Sequence, residues 1–305
     1  MAASAQPSPS AQGMRVAGMI CVDGVTGEPL VQTTVDRPGS PASVTKLMTL
    51  LLVLEDIRAG RLALRSRVSV TKEAADTGGS QIWLAVGESF TVEELLYALM
   101  LKSANDVAVA LAIDRAGSTA AFVARMNRRA AELGLTRTRF VTPNGLSYGR
   151  GPHDTSTAHD LARLAVVLCS MPEALRFTSA KRYVLRRPMK PMEMLNHNYL
   201  LDSFPGCDGL KTGWTEAADA SIVTTAKVGE HRVIAVVLSC YSPLGAKPEQ
   251  RLRDQLAADL MRKGLAKKVA EAAALARATP SPPKNGPPSP PEVGFWAWLG
   301  DLFSF

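Results

Sequence analysis

A serine followed three residues later by a lysine, at the mouth of a helix, is a nucleophile with its base attached. This chain carries that spacing twice in the same four letters, Ser43-Val44-Thr45-Lys46 and Ser69-Val70-Thr71-Lys72. A serine hydroxyl needs a neighbouring base to attack an acyl group. A lysine serves as that base only when neutral, which burial and nearby positive charge favour. On a helix, positions i and i+3 share a face, whereas on a strand they face opposite sides. The first copy follows Pro41-Ala42, and proline suits the start of a helix. It opens the run 47–54, apolar nearly all round, which predicts a buried helix. The second copy follows residues 61–68, which alternate apolar and polar and predict a strand. Ser43 and Lys46 are therefore the expected reactive pair, and Ser69 and Lys72 are expected to point apart.

A serine and lysine at this spacing arise about once by chance in a chain of this size. Two further strings follow in order. Ser103-Ala104-Asn105 lies in 101–106, and Lys211-Thr212-Gly213 lies in 208–215. A fixed three-residue string such as the last arises by chance in fewer than about one chain in ten. Each piece has a plain structural reading. Ser43 reads as a helix cap, Lys46 as a surface lysine, the second string as a turn and the third as a strand edge. Lys46, however, leads an apolar helix, where an unpaired lysine is costly. The ordered set favours an acyl-transfer site.

With this motif set the chain resembles the serine-type D-alanyl-D-alanine carboxypeptidases, the low-molecular-weight penicillin-binding proteins. The likeness extends to Pro41 through Thr49, to Thr91 through Met100, to Leu133-Gly134-Leu135, Thr138, Phe140 and Pro143-Asn144-Gly145-Leu146, and to Asp208 through Thr215. It covers roughly residues 14 to 265. The resemblance implies an α/β (α+β) fold of the β-lactamase/transpeptidase-like kind. That fold has an antiparallel sheet of about five strands flanked by helices, an all-helical lobe, and the site at their junction. It implies a serine D,D-carboxypeptidase that removes the terminal D-Ala of peptidoglycan stem peptides through an acyl-enzyme on Ser43, with β-lactams as covalent inhibitors. Lys46 is then the base, Ser103 the proton relay to the leaving amine, and Asn105 a ligand of the peptide amide and of Lys46. Lys211 is the electrostatic support. Thr212, Gly213 and Trp214 form the substrate-binding segment, with the Ser43 and Trp214 N–H groups as oxyanion donors. No cofactor and no metal are expected.

Two departures from the family pattern stand out. Asp219 occupies a run where the family has glycine. The arginine that the family often uses to grip the substrate carboxylate falls, by length, near Ala246 or Lys247, with Arg251 close by. The alternatives are a D,D-endopeptidase acting on cross-links, a class A-like β-lactamase and a non-catalytic wall-binding protein. A β-lactamase needs a glutamate to drive deacylation, and between Phe140 and Cys207 the glutamates are Glu173 and Glu193.

The bulk properties fit a single large globular domain, with 46% apolar and 21% charged residues in 305. A net charge of +7 favours anionic surroundings. No groove-reading motif or aromatic-basic stripe accompanies it, so no nucleic acid is expected. Cys21, Cys169, Cys207 and Cys240 show no metal spacing and read as core thiols. The histidines, His153, His159, His197 and His231, are scattered and none is assigned to catalysis. Residues 1–13 read as a disordered leader without a signal peptide. The family implies periplasmic or extracellular work. Residues 14–265 are the expected catalytic domain. Residues 266–291 are a helical stalk and Pro-rich linker, and 292–305 a short aromatic amphipathic tail. That tail predicts peripheral membrane contact; a disordered tail and a docking peptide are the alternatives. Strands are expected over 15–22, 208–212, 221–228 and 233–238.

Overall fold

The computed structural model describes residues 13–146, 151, 153–187 and 191–278. The expectations for residues 1–12, and for the linker and tail over 279–305, lie outside the described residues. The chain divides into two units, 1–269 and 270–305. In the second, residues 270–278 are helical.

The chain begins with the antiparallel pair β1 (Arg15–Asp23) and β2 (Pro29–Thr33). A tight 3-10 turn, Ala42–Thr45, then leads into α1 (Lys46–Arg58). A small hairpin of β3 (Arg67–Ser69) and β4 (Ser89–Thr91) encloses the one-turn α2 (Lys72–Ala75). The helices α3 (Val92–Leu101), α4 (Asn105–Ala116), α5 (Thr119–Glu132), α6 (Ala158–Cys169) and α7 (Pro172–Thr178) follow. A second hairpin, β5 (Arg182–Leu185) and β6 (Met192–Leu195), and the short α8 (Leu200–Ser203) lead back to the sheet. There β7 (Cys207–Thr215), β8 (Asp219–Val228) and β9 (His231–Tyr241) run antiparallel, before the long helix α9 (Ala246–Ala278).

The main sheet has five strands in the order β2-β1-β9-β8-β7. This is the expected antiparallel sheet with helices and a helical lobe. Each of the four strands predicted over 15–22, 208–212, 221–228 and 233–238 is present in it; β2, a short edge strand opening on a proline, is an addition. Edge strands tolerate proline because one side of the backbone needs no ladder partner.

Two apolar cores sit on opposite faces of the sheet. The larger joins one face to α1, α3, α4 and α6, and α1 buries Leu47, Met48 and every residue from Leu50 to Leu54. A helix covered all round matches the apolar run read from the sequence. The smaller core packs Ala257, Ala258, Leu260 and Met261 of α9 on Cys21, Ile222, Ala235 and Val237. Among the described residues no single helix is long and apolar enough to cross a membrane.

The second SxTK copy does not form the continuous strand expected. Ser69 ends the three-residue β3, and Thr71 caps α2 by accepting a hydrogen bond from Ala74 N at 3.3 Å. Lys72 opens that helix and pairs with Asp76 at 2.6 Å in solvent. The capping threonine and the helix-forming Lys72-Glu73-Ala74-Ala75 overrode the strand period. The outcome is the same: Ser69 and Lys72 are not paired.

Candidate active site

Ser43 lies in the 3-10 turn and Lys46 is the first residue of α1. Ala42, just before the serine, has φ of +47°, an uncommon conformation for a residue with a Cβ, held by its complete burial. Lys46 is itself fully buried. Its Nζ lies 2.9 Å from Ser43 Oγ, 2.7 Å from Asn105 Oδ1 and 2.6 Å from the Asn144 carbonyl oxygen. Burial and then the Lys211 charge push its pKa well below the ordinary lysine value; Asp154 and Asp106 act the other way.

The second string sits at the α3–α4 junction. Thr91 and Glu94 form a capping box at the start of α3. Where that helix ends, Ser103 takes φ of +56°. Its Oγ is buried without a hydrogen-bond partner among the described residues, on the wall of a cleft. Asn105 begins α4. Its amide donates to the Gly78 carbonyl at 2.9 Å, and its backbone N–H donates to the Ser80 carbonyl at 2.7 Å. Asp106 beside it accepts from the Ile82 and Leu84 backbone N–H groups, which ties the 78–84 loop to the site.

The third string lies on β7, an edge of the sheet. Gly213 is a glycine by necessity. A Cβ there would lie 2.6 Å from the Pro41 carbonyl oxygen and 3.1 Å from Ser43 N. The strand thus runs against the nucleophile turn. Gly145 does the same from the other side, since its Cβ would fall 1.8 Å from the Ala42 oxygen. Lys211 is buried, and its Nζ donates to the Thr212 carbonyl at 2.9 Å. Burial and then Arg253 hold its pKa down to about 7.

Ser43 opens onto two cavities. One, of about 310 Å³, is lined by Ser103, His197, Thr212, Gly213 and Arg253 among others. The other, of about 300 Å³, is lined by Gly79, Asn105, Gly145, Leu146 and Glu216 among others. Trp214 lines both, and its indole N–H donates to Glu249 Oε2 at 2.9 Å. All eight residues singled out in the sequence therefore meet at Ser43 or line a cavity beside it, or, as with Lys46 and Lys211, stand buried behind them.

Sequence reasoning left the cation open among positions near Ala246, Lys247 and Arg251. Lys247 and Arg251 are exposed and line neither cavity. Arg253, about two turns into α9, is buried at the wall of the first, with Nε and Nη2 both on Asp254 Oδ1 at 2.9 and 2.7 Å. The count by length did not reach Arg253 because the chain turns into a helix at Ala246, which brings every third or fourth residue to one face. His197 was also passed over. Its side chain is exposed but lines the same cavity, where desolvation by the cleft wall and then Lys211, Lys102 and Arg253 push its imidazole down to about 4. The polar run Asn196-His197-Asn198, between strand and helix, was the available signal. Asp219 lines neither cavity; it pairs with Thr215 across β7 and β8 at φ of +59°. The two glutamates between Phe140 and Cys207 line neither cavity. Glu173 pairs with Arg58, and Glu193 pairs with Arg182 at 2.8 Å. The four cysteines are free thiols.

A family model described as D-alanyl-D-alanine carboxypeptidase matches residues 4–242. D-alanyl-D-alanine carboxypeptidase DacF of Bacillus subtilis is 37% identical over 225 residues, 73% of this chain and 57% of that protein. The chain spans less than two thirds of the length of such curated relatives. The crystal structure of the D-alanyl-D-alanine carboxypeptidase DacD from Francisella tularensis superposes with a TM-score of 0.75 at 28% identity, over 87% of this chain and 74% of that one. A penicillin-binding protein of Listeria monocytogenes in its ampicillin-bound form superposes with a TM-score of 0.71 at 29% identity, over 82% of this chain and 97% of that one.

Proposed function

The chain belongs to the D-alanyl-D-alanine carboxypeptidase family, and from that premise we propose that it is a serine hydrolase that removes the terminal D-alanine of peptidoglycan stem peptides. The observation that carries the reading is the buried Lys46 amine, 2.9 Å from Ser43 Oγ with its other two acceptors in place. Neutral Lys46 takes the hydroxyl proton as Ser43 Oγ attacks the scissile carbonyl. The oxyanion faces the Ser43 and Trp214 backbone N–H groups, which β7 holds against the nucleophile turn at Gly213. Ser103 Oγ passes a proton to the leaving D-alanine nitrogen, and the C–N bond breaks to give an ester on Ser43. Water then hydrolyses that ester.

The first cavity takes the leaving residue. Arg253 and Thr212 meet its terminal carboxylate, and Lys211 supports the field behind them. The second cavity takes the acyl side of the peptide, with Asn105 as ligand of its amide. β-Lactams carry an acyl group and a carboxylate in similar relation, and they acylate the same serine. A β-lactamase is the weaker reading, because Glu173 and Glu193 line neither cavity beside Ser43 and pair at the surface with Arg58 and Arg182. D,D-endopeptidase action on cross-links uses the same chemistry with a larger leaving group.

Residues 14–265 are the catalytic domain in this reading. The place of work is the wall-facing side of the membrane, periplasmic or extracellular, with residues 292–305 as a peripheral membrane contact. Mass spectrometry after incubation with a D-alanyl-D-alanine peptide and, separately, with a labelled penicillin tests the proposal. Release of one D-alanine and a stable adduct on Ser43 are expected. An adduct on Ser69, or none, sinks the mechanism, and rapid penicillin turnover favours the β-lactamase.

A further inference from the structure

Asp154 takes no part in the steps above, yet it is 1% exposed and touches both the nucleophile turn and the loop behind it. We infer that Asp154 is a positioning residue: acting through Thr142 and the Asn144 carbonyl, it fixes the direction in which the Lys46 lone pair points.

A neutral lysine amine has two N–H groups and one lone pair. Its lone pair faces Ser43 Oγ only if two other acceptors take the two N–H groups. Those acceptors are Asn105 Oδ1 and the Asn144 carbonyl. Asn105 is anchored by its helix and by its hydrogen bonds to the 78–80 loop. Asn144 lies in 141–146, which belongs to no helix or strand. Backbone in such a segment needs side chains to hold it.

Asp154 is the principal holder. Its Oδ1 accepts from the Val141 and Thr142 backbone N–H groups at 2.6 and 3.0 Å. Its Oδ2 accepts from Thr142 Oγ1 at 2.6 Å and from Thr45 Oγ1 at 3.2 Å. Thr142 Oγ1 in turn accepts from Gly145 N at 2.8 Å, the residue that follows Asn144. Thr45 is the residue before Lys46. One carboxylate thus joins the base to the loop that carries its acceptor. A second tie, from Thr49 Oγ1 to the Pro143 carbonyl at 2.6 Å, closes the loop on α1. A buried carboxylate held by hydroxyls and amides is expensive to desolvate, so an apolar filler would suit mere packing better.

The charge of Asp154 also bears on Lys46. Lys211, Asp154 and Asp106 are the charged groups acting on that amine, and the two carboxylates raise its pKa where Lys211 lowers it. Removing the Asp154 charge therefore lowers the pKa of Lys46 further. Loss of aim and loss of charge then have separate signatures, one in the rate plateau and one in the acid limb of the pH profile.

The test measures the penicillin acylation rate per competent site, counted by active-site titration, across the pH range. Thr142→Val keeps the shape and removes the hydroxyl, and its plateau rate is expected to fall about ten- to a hundred-fold. Thr142→Ser restores the bridge and is expected to stay within about two-fold of the parent, whereas a purely steric role for Thr142 would not be rescued this way. Asp154→Asn is expected to lower the plateau and to move the acid limb to lower pH. Parental rates per site in Thr142→Val and Asp154→Asn, with an unmoved acid limb, overturn the inference, even if both variants melt earlier. The inference rests on Lys46 being the base. A parent protein that fails to acylate at Ser43 sinks that reading, whereas parental rates in the variants sink this inference alone.

Discussion

Arg253, on α9 at the wall of the first cavity, acts on Lys211, buried on β7, and its charge adds to burial in holding the Lys211 pKa down to about 7. Removing that charge should let the lysine recover. Arg253→Gln is expected to raise the Lys211 pKa toward its ordinary value of 10.5, though not to it, because burial is the larger cause. Side-chain NMR titration of labelled lysines reads the shift directly. An unchanged Lys211 would show that the two groups are uncoupled.

A second prediction concerns stability against pH. Lys211 has a folded pKa of about 7 against the ordinary lysine value of 10.5. Below about 7 both states carry the proton, and the buried charge costs stability in full. Between about 7 and 10.5 the unfolded chain still binds a proton that the folded chain has released, so stability from this group climbs with pH. Lys211→Met removes that climb. The variant is expected to be more stable than the parent at neutral pH by about 1–4 kcal/mol, with the advantage vanishing near pH 10.5. Urea melts of parent and variant at both pH values check it, and an advantage that grows with pH would contradict the sign.

The two SxTK copies make a matched pair of tests. Ser43→Ala is expected to abolish penicillin labelling and to cut peptide hydrolysis by about a thousand-fold or more. Ser69→Ala lies on β3, away from Lys46, and is expected to label at the parental rate. Fluorescent penicillin on a denaturing gel separates the outcomes, and labelling that follows Ser69 would reverse the assignment.

The parts of the site that were legible in sequence are the parts whose geometry is local. Ser43 and Lys46 share a turn and the helix it opens, so their spacing alone brings them together. Asn105 and Lys211 came from short strings with few chance matches. The Asn144 contribution is a backbone carbonyl, which has no residue-type signature. Asp154 acts through a loop that returns to Thr45 across 109 residues. Arg253 was missed because its place depends on where α9 begins, and a count by length cannot see a strand turn into a helix at Ala246. The sheet was legible because β8 and β9 are buried, largely apolar runs parted at Gly229, and because β7 carries the Lys211-Thr212-Gly213 string. The strand expected through Lys72 was wrong because a single capping threonine, Thr71, outweighed the alternation before it.

The last prediction separates Arg253 as a carboxylate ligand from Arg253 as a mere packing group. Its Nε and Nη2 are both engaged with Asp254, so the guanidinium is already oriented before substrate arrives. A pre-oriented cation at a cleft wall should recognise an anion, and a hydrogen bond to a charged group is worth about 1.5–3 kcal/mol. Arg253→Ala is therefore expected to raise KM for peptides ending in free D-alanine by about ten- to a hundred-fold. The same peptides capped as C-terminal amides offer no carboxylate, and their slower turnover should barely change in the variant. Arg253→Lys keeps the charge and loses the fixed fork, so it should recover part of the lost affinity. Steady-state kinetics on the two peptide series decide the matter. An equal loss on acid and amide would mean that Arg253 shapes the cleft wall rather than reading the substrate's terminus, and the cation that does so would have to be sought elsewhere in the cleft, with Lys211 the first candidate.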